Sequence, residues 1–366
     1  MVFEEHRRVL NNGNSICEWW RISEINSKYS LCTSYPSQFI VPVSISDEEV
    51  IQAAEFRARG RLPVITWCHP ENGAVLARSS QPSVGLFQSR STADEKLVAA
   101  LCVSRSSAGR YTKFVYIADA RPAINALANG TMGGGWESPS NYSQARVEFL
   151  GIDNVHAVRD SFSRLRDFLD KHSATSSDGL SLGRNVSVSA LENSGWLMHI
   201  HSVLAGSAWI AARIATEGAS VLVHCSDGWD RTTQLVSLAG LLLDPYYRAF
   251  EGFQALVEKD WLAFGHPFAD RLRMPTVNTS NKSSSDLFVA NANAHAKESS
   301  PIFLQWVDCV AQILQTYPSA FEFSSAYLVE IVDCVISGRF RNFLCNINRR
   351  GNMPALQLPV GACGFT

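Results

Sequence analysis

Short apolar runs alternate along the chain with segments in which apolar residues recur at a helical period. Five runs rich in β-branched and aromatic residues are predicted to be strands: Phe39–Val43, Val64–Cys68, Phe114–Ile117, Val147–Leu150 and Val221–His224. The helical patterns between them include Asp47–Ala58, Ala93–Cys102, Ile152–Phe168 and Ala190–Glu217. This alternation predicts an α/β domain with a central mixed sheet flanked by helices.

The pattern changes after Thr232 and becomes mostly helical. The last two predicted helices are Pro301–Tyr317 and Ser325–Cys345. Residues 276–300 are rich in Ser, Asn, Thr and Ala, a composition typical of a mobile surface insertion. We therefore expect one domain over residues 1–350 with a mostly helical C-terminal part, followed by a tail over residues 351–366.

Composition and charge exclude several classes of function. The formal net charge of −2 gives no broad attraction to nucleic acid or to an anionic membrane, so an anionic substrate has to be bound by a local basic site. The nine cysteines form no C-x-x-C pair, which argues against a disulfide framework or a zinc site and favours a reducing compartment. No apolar run is long enough for a signal sequence or a membrane span. These features predict a soluble intracellular protein without a metal or other cofactor.

One segment carries the candidate chemistry. The apolar run that ends at His224 is followed by seven residues from Cys225 to Arg231, and an apolar helical pattern begins at Thr232. A loop between a strand and a helix N-terminus turns successive backbone N–H groups into one concavity, which binds anions. The spacing of Cys225 and Arg231 lets such a loop surround a phosphate, with the sulfur below it and the guanidinium beside it.

This arrangement indicates a cysteine-dependent phosphatase that needs no metal. A helix N-terminus and a neighbouring arginine both favour the thiolate form of Cys225, the form that attacks phosphorus. Arg231 provides a bidentate clamp for the phosphoryl oxygens, and the Thr232 hydroxyl is placed to stabilise the departing thiolate. Asp227 and Asp230 are both candidate proton donors to the leaving group, and spacing alone does not choose between them.

The alternative is that Cys225 is a small core residue at a strand end and Arg231 a surface residue of a helix. For a lone cysteine this would be the better interpretation, since free cysteines are usually buried. Here the strand, the spacing from cysteine to arginine, Gly228 and the start of the helix coincide. The coincidence favours the phosphatase.

The loop sequence H-C-S-D-G-W-D-R-T resembles that of the myotubularin family, phosphoinositide 3-phosphatases of the cysteine-phosphatase superfamily. The resemblance extends over roughly residues 19 to 346. Its other motifs include Trp20-Arg21-Ile22, Arg61-Leu62-Pro63, Ser80-Gln81-Pro82, Asp119-Ala120-Arg121-Pro122, Gly133 to Gly135 and Glu258-Lys259-Asp260-Trp261.

The resemblance implies removal of the 3-phosphate from phosphatidylinositol 3-phosphate and 3,5-bisphosphate, with Asp230 as the proton donor. It also implies that substrate is bound by Ser226, Asp227, Gly228, Trp229, Thr232, Asn129, Asn154 and Arg271. Without the resemblance, the two asparagines would be loop caps and Arg271 a solvated surface charge. Asp119 and Arg121 are expected to form a structural ion pair.

Two departures from the family qualify this prediction. The chain begins almost at the phosphatase part, so we expect it to lack the lipid-binding domain that usually precedes it, as a shortened isoform or an incomplete gene model would. Pro267 also stands where the family often has a basic residue that helps to hold a second phosphate, so the sequence does not predict a preference for the bisphosphate over the monophosphate.

The resemblance further implies partners and a location. It implies peripheral contact with endosomal or other intracellular membranes from the cytoplasm, and a homodimer or heterodimer with another myotubularin. The rival functions are a phosphatase for phosphoproteins or soluble inositol phosphates, and an inactive scaffold partner.

Overall fold

The structure is a computed structural model, and it describes residues 2–11, 19–102, 114–176, 188–272, 298–339 and 343. Most of the predicted insertion at 276–300 and all of the predicted tail at 351–366 lie outside the described residues. Within the described ranges, no helix is long and apolar enough to cross a membrane.

The described residues contain a mixed seven-stranded sheet in the order β1-β2-β3-β4-β7-β5-β6. The strands β1 to β4 pair antiparallel, whereas β7 lies between β4 and β5 and is parallel to both; β6 is parallel to β5. The strand bounds are β1 Trp20–Ser23, β2 Phe39–Pro42, β3 Val64–Cys68, β4 Val75–Arg78, β5 Val115–Asp119, β6 Ala145–Phe149 and β7 Val221–His224.

Helices cover the sheet and form most of the C-terminal part, as the sequence predicts. The α-helix bounds are α1 Val2–Asn11, α2 Asp47–Phe56, α3 Thr92–Ala100, α4 Ala123–Gly130, α5 Val155–Ser176, α6 Val188–Ser194, α7 Trp196–Ala215, α8 Arg231–Leu243, α9 Phe250–Leu256, α10 Phe268–Leu272, α11 Ile302–Thr316 and α12 Ser325–Ile336. A π-helical stretch, Val257–Ala263, continues α9. The predicted α/β class with a central mixed sheet is confirmed.

Several local predictions were incomplete. The short strands β1 and β4 and the helices α1 and α4 were not predicted, and the last helix ends at Ile336 rather than at Cys345. The predicted helix Ala190–Glu217 is interrupted by Gly195, which has a φ of +76° and separates α6 from α7. That left-handed conformation ends one helix and redirects the chain before the next.

The sheet brings the loops after β4, β5 and β7 to one edge. These strands are parallel neighbours, with Arg78 opposite Val223 and Asp119 opposite His224. The segments that leave their carboxyl ends therefore emerge side by side, as in other parallel sheets with a functional site at this edge. The fully buried strand β7 and the adjoining helix α8 anchor that edge in the core.

Candidate active site

The backbone of the loop between β7 and α8 is held in place by hydrogen bonds to its carbonyl groups. The Cys225 carbonyl oxygen lies 3.1 Å from His224 Nδ1, and the Ser226 carbonyl accepts a hydrogen bond of 3.0 Å from the Gln81 N–H. The N–H of a trans peptide points away from the carbonyl of the same peptide bond. The N–H groups that follow these two carbonyls therefore point to the opposite side, into the concavity of the loop.

Gly228 makes the sharpest turn of this loop. Its φ is +76°, and a Cβ at this position would lie 2.3 Å from the Ser79 carbonyl oxygen, so only glycine fits. The Gly228 carbonyl accepts hydrogen bonds from two buried guanidinium groups, from Arg61 Nη2 at 2.8 Å and from Arg78 Nη2 at 2.9 Å. Burial lowers the pKa of Arg78 to about 10, which leaves it charged at neutral pH. Both guanidinium groups hold the peptide group between Gly228 and Trp229 by its carbonyl, so that the N–H of this peptide group points towards the concavity.

Cys225 lies buried at the base of the loop, and the Gly228 N–H donates to its Sγ at 3.3 Å. Arg231, the first residue of α8, donates from Nη1 to the Ile152 carbonyl at 3.0 Å, which holds its guanidinium beside the loop. The Thr232 hydroxyl is buried and has no hydrogen-bond partner among the described residues, so its proposed role towards the departing thiolate stays a prediction.

Asp230 is held by a buried ion pair. Arg271 Nε and Nη2 donate to its two carboxylate oxygens at 3.1 and 2.7 Å, and His266 Nδ1 lies 3.2 Å from Oδ1. Burial alone would raise the pKa of Asp230, but the charge of Arg271 and the hydrogen bonds from both partners hold it well below its usual range. The carboxyl is therefore ionised at neutral pH. The alternative of a solvated Arg271 is wrong, because this side chain is buried.

Asp227 lies in a different environment from Asp230. Its Oδ1 accepts a hydrogen bond of 2.9 Å from Arg59 Nε, and its side chain is 33% exposed, against 10% for Asp230. The Arg59 guanidinium also lies over the Trp229 ring, 4.5 Å from its centroid. Asp227, Trp229 and Arg59 therefore form the solvent-facing rim of the loop.

The two asparagines predicted to bind substrate occupy different positions. Asn129, near the end of α4, donates from Nδ2 to Ser226 Oγ at 3.1 Å and so lies beside the loop. Asn154 accepts hydrogen bonds from the His156 and Ala157 N–H groups and caps the start of α5. Its segment approaches the site through Ile152, whose carbonyl Arg231 contacts. The structure thus shows Asn154 as a cap, which was the alternative interpretation, without bringing it into contact with the loop.

The arrangement is a loop at a helix N-terminus with the Cys225 thiol at its base, the Arg231 guanidinium beside it and the Asp230 carboxylate held by Arg271. A family model described as a myotubularin-like phosphatase domain matches residues 2–351. The chain belongs to the myotubularin family.

Relatives support the same membership. The chain is 56% identical to an Arabidopsis thaliana protein named phosphatidylinositol-3-phosphatase myotubularin-1, over 95% of this chain and 46% of that protein. It is 58% identical to the Arabidopsis thaliana phosphatidylinositol-3-phosphatase myotubularin-2, over 89% of this chain and 44% of that protein. It is 43% identical to a Bos taurus phosphatidylinositol-3,5-bisphosphate 3-phosphatase, MTMR2, over 90% and 47% of the two lengths. The chain thus spans slightly less than half of these curated myotubularins.

A network of buried charges supports the myotubularin loop from behind. Glu137 lies 2.6 Å from Arg57 Nη1 and 3.0 Å from His224 Nε2, and Arg57 also pairs with Asp94 at 2.6 Å. Burial would lower the pKa of His224, but the charge and hydrogen bond of Glu137 raise it above its usual value. Because Arg57 Nη1 also donates to the Ser80 carbonyl, the network fixes the segment against which Gly228 packs.

Asp119 and Arg121 form the structural ion pair that the sequence predicted, at 2.7 Å and fully buried. Arg121 Nη2 also donates to the Gly135 carbonyl at 2.8 Å, so this pair joins the end of β5 to the glycine-rich loop. Both residues therefore stabilise the scaffold of the myotubularin site and do not line its concavity.

Sequence reasoning missed several contributors to the site, among them Arg59, which pairs with Asp227 at the rim. His266 contacts Asp230, and Arg61 and Arg78 hold the Gly228 carbonyl. Arg61 stands in a motif shared with the family, but nothing in its own segment indicates a partner that is 167 residues away. His266 has no local pattern around it, and only its contact with the loop reveals its place.

Proposed function

We propose that this protein removes the 3-phosphate from phosphatidylinositol 3-phosphate and 3,5-bisphosphate through a phosphocysteine intermediate. The observation that carries the proposal is the loop itself. Its carbonyls accept hydrogen bonds from Gln81, Arg61 and Arg78, the Gly228 N–H donates to the Cys225 sulfur, and Arg231 lies alongside. The names of the Arabidopsis and Bos taurus relatives support a phosphoinositide substrate.

In the first step the Cys225 thiolate attacks phosphorus, the S–P bond forms and the bond between phosphorus and the inositol oxygen breaks. The departing alkoxide takes a proton from a carboxylic acid. The loop N–H groups and Arg231 stabilise the charge that builds up on the equatorial oxygens. In the second step water attacks phosphorus, the S–P bond breaks and the thiolate is restored.

Asp230 is the proposed proton carrier in both steps. In the resting site it is a carboxylate, which suits it to accept the proton of the attacking water. For the first step it has to be protonated. We infer that bound substrate brings this about, because a phosphoryl dianion in the loop repels the carboxylate and a second anionic group on the inositol ring competes for Arg271.

The remaining predicted site residues have proposed roles in substrate binding. Ser226, Gly228 and Thr232 surround the phosphoryl group, whereas Asp227 and Trp229 line the rim that the inositol ring passes. Asn129 and Arg271 lie close enough to reach groups on that ring, given their contacts with Ser226 and Asp230. Asn154 is proposed as a weaker contributor because its side chain caps α5.

The proposed substrate is a lipid, and this supports peripheral contact with the cytosolic face of endosomal or other intracellular membranes. Pairing with a second copy or with another myotubularin remains a prediction of the family resemblance. Size-exclusion chromatography with light scattering measures that pairing directly. An unshifted monomer mass over a hundredfold range of concentration would refute self-association.

Phosphate release from short-chain phosphoinositides tests the function. Purified protein is compared on lipids phosphorylated at the 3-, 4-, 5- and 3,5-positions and on a phosphotyrosine peptide. Release confined to the 3-phosphorylated lipids is expected, and it should be lost in Cys225→Ser because an alcohol is a poor nucleophile at neutral pH. Preferential release from the peptide would support the phosphoprotein alternative. No release from any substrate by a folded sample would support the scaffold.

A further inference from the structure

An uncharged segment with exposed apolar side chains follows β4 at the edge of the sheet that carries the active-site loop. Within it, Leu86 is 71% exposed and Phe87 is 95% exposed, the highest value of any large apolar residue among the described residues. They lie in the turn from Gly85 to Gln88, where the Gln88 N–H bonds to the Gly85 carbonyl. Neither side chain is buried against the part of the chain that the structure describes.

A second exposed apolar surface lies next to this turn, on α4 and the residue pair that follows it. Ile124 and Leu127 are 74% and 63% exposed and, three residues apart, share one face of the helix. Met132 is 79% exposed. The Gly85 N–H donates to the Gly134 carbonyl at 2.8 Å, so the base of the turn touches the glycine-rich loop two residues after Met132. The two surfaces therefore adjoin.

Both segments are also joined to the active-site loop. The Gln81 N–H donates to the Ser226 carbonyl at 3.0 Å, and Leu86 follows Gln81 by five residues. Asn129, on α4, donates to Ser226 Oγ at 3.1 Å. At most about 20 Å of chain separates either set of apolar side chains from the phosphate-binding loop. Both sets of apolar side chains therefore stand on segments that are hydrogen-bonded to the active-site loop.

We propose that this surface, called the docking patch, inserts into the interface of a lipid bilayer and presents membrane-bound headgroups to the active-site loop. The docking patch consists of Leu86, Phe87, Ile124, Leu127 and Met132. The proposal rests on the proposed lipid substrate and adds the surface by which the membrane is reached.

Charge favours a bilayer over a protein partner as the occupant. Residues 79–91 and 120–136 contain no Asp or Glu, and Arg121, one of only two cations in these ranges, is buried in its pair with Asp119. The other, Arg90, is 57% exposed at the border of the patch and pairs at 2.6 Å with Glu95, whose own side chain is 13% exposed. A membrane that carries phosphoinositides is anionic, and the two ranges present apolar side chains to it without a carboxylate of their own to repel it. A protein partner would usually require polar or charged complements at the rim.

The test uses the double variant Leu86→Ser/Phe87→Ser, neither residue of which belongs to the catalytic loop. The matched control is Leu169→Ser/Val329→Ser, which removes apolar side chains that are 52% and 61% exposed. Leu169 lies about 21 Å along α5 from Val155, at the end directed away from the active-site edge. Binding is measured by sedimentation with vesicles of phosphatidylcholine, phosphatidylserine and phosphatidylinositol 3-phosphate, and hydrolysis is measured on the same vesicles and on short-chain phosphatidylinositol 3-phosphate.

We expect the patch variant to bind the vesicles about tenfold more weakly and to hydrolyse vesicle substrate correspondingly more slowly. Hydrolysis of the short-chain substrate should stay unchanged, and the control should match the unmodified protein throughout. Unchanged vesicle binding by the patch variant would overturn the proposal. A parallel loss on short-chain substrate would also overturn it, since the patch would then be part of the catalytic structure.

Failure of the proposed function can be recognised separately. If the unmodified protein binds the vesicles but releases no phosphate from either substrate, the function fails, while loss of binding in the patch variant still supports the docking patch. If the unmodified protein does not sediment with vesicles and the patch variant instead changes its mass by light scattering, the surface is an interface between copies and the proposal is wrong.

Discussion

Replacing Arg271 by methionine would remove the cation that grips Asp230 while keeping most of the side-chain volume. Arg271 donates two hydrogen bonds to the carboxylate, and the side chains are 7% and 10% exposed. The variant leaves Asp230 buried with His266 as its remaining contact, at 3.2 Å. Because the lost partner was charged and buried, we expect a large effect on stability.

The size of the effect follows from the burial of the pair. Removing one partner of a buried ion pair typically costs about 3–5 kcal/mol in the free energy of unfolding. The contact of Arg271 with Glu298, whose side chain is 54% exposed, adds at most about 1 kcal/mol. The hydrogen bond from His266 offsets part of the loss. We therefore expect Arg271→Met to lower the free energy of unfolding by about 3 kcal/mol at neutral pH.

The pH dependence of this loss identifies its cause. Arg271 holds the pKa of Asp230 below its value in the unfolded chain, so its stabilisation is fully present above the unfolded pKa of about 4. It declines as the pH falls from there towards the lower folded pKa. Urea unfolding of both proteins should therefore show a constant difference above about pH 5 and a shrinking one below.

Two comparisons separate charge from packing. Arg248→Met removes a partly buried guanidinium that donates to the backbone carbonyls of Leu241 and Leu242, and it should cost less stability without a pH dependence of this kind. In the Asp230→Asn background, Arg271→Met should cost about 2 kcal/mol less than it does alone. An equal cost in both backgrounds, or a difference that does not change with pH, would refute the ion-pair explanation.

Four single substitutions test separate parts of the site. Gly228→Ala should lower turnover, and it should lower the free energy of unfolding by about 2 kcal/mol, because the added Cβ would lie 2.3 Å from the Ser79 carbonyl oxygen. An unchanged midpoint of urea unfolding would contradict this. Asp230→Asn should slow turnover about a hundredfold or more, and Asp227→Asn much less; the reverse order in steady-state kinetics would move the acid role to Asp227. Thr232→Val should slow breakdown of the phosphocysteine in single-turnover assays. It should change stability little, since no hydrogen bond is lost. Unaltered breakdown would refute the proposed role of the Thr232 hydroxyl.

The sequence was a good guide to the fold where segments are long or strongly apolar. The runs at Val64–Cys68 and Val221–His224 are strands within the predicted bounds, since both are buried over their whole length. Val75–Arg78 was missed because four residues carry no period that distinguishes a strand from a helix. Its strand form depends on pairing with β3 and β7, which a local pattern does not contain.

The candidate site was predictable only where its residues are adjacent in sequence. Cys225 and Arg231 lie in one loop, and their spacing already implies the geometry of an anion site. Asp230 is in the same loop, but its ionisation depends on Arg271, 41 residues away. From sequence alone Arg271 looks like a surface charge, because burial is a property of the fold.

The most direct test of the central claim is to detect phosphate on Cys225 itself. Protein turning over short-chain phosphatidylinositol 3-phosphate is quenched in denaturant, digested, and examined by mass spectrometry. The account predicts one phosphoryl group on the peptide that contains Cys225, present with the 3-phosphorylated lipid and absent with 4- or 5-phosphorylated lipids and in Cys225→Ser. Phosphate release at an undiminished rate by Cys225→Ser, or a phosphoryl group on a different residue, would contradict it.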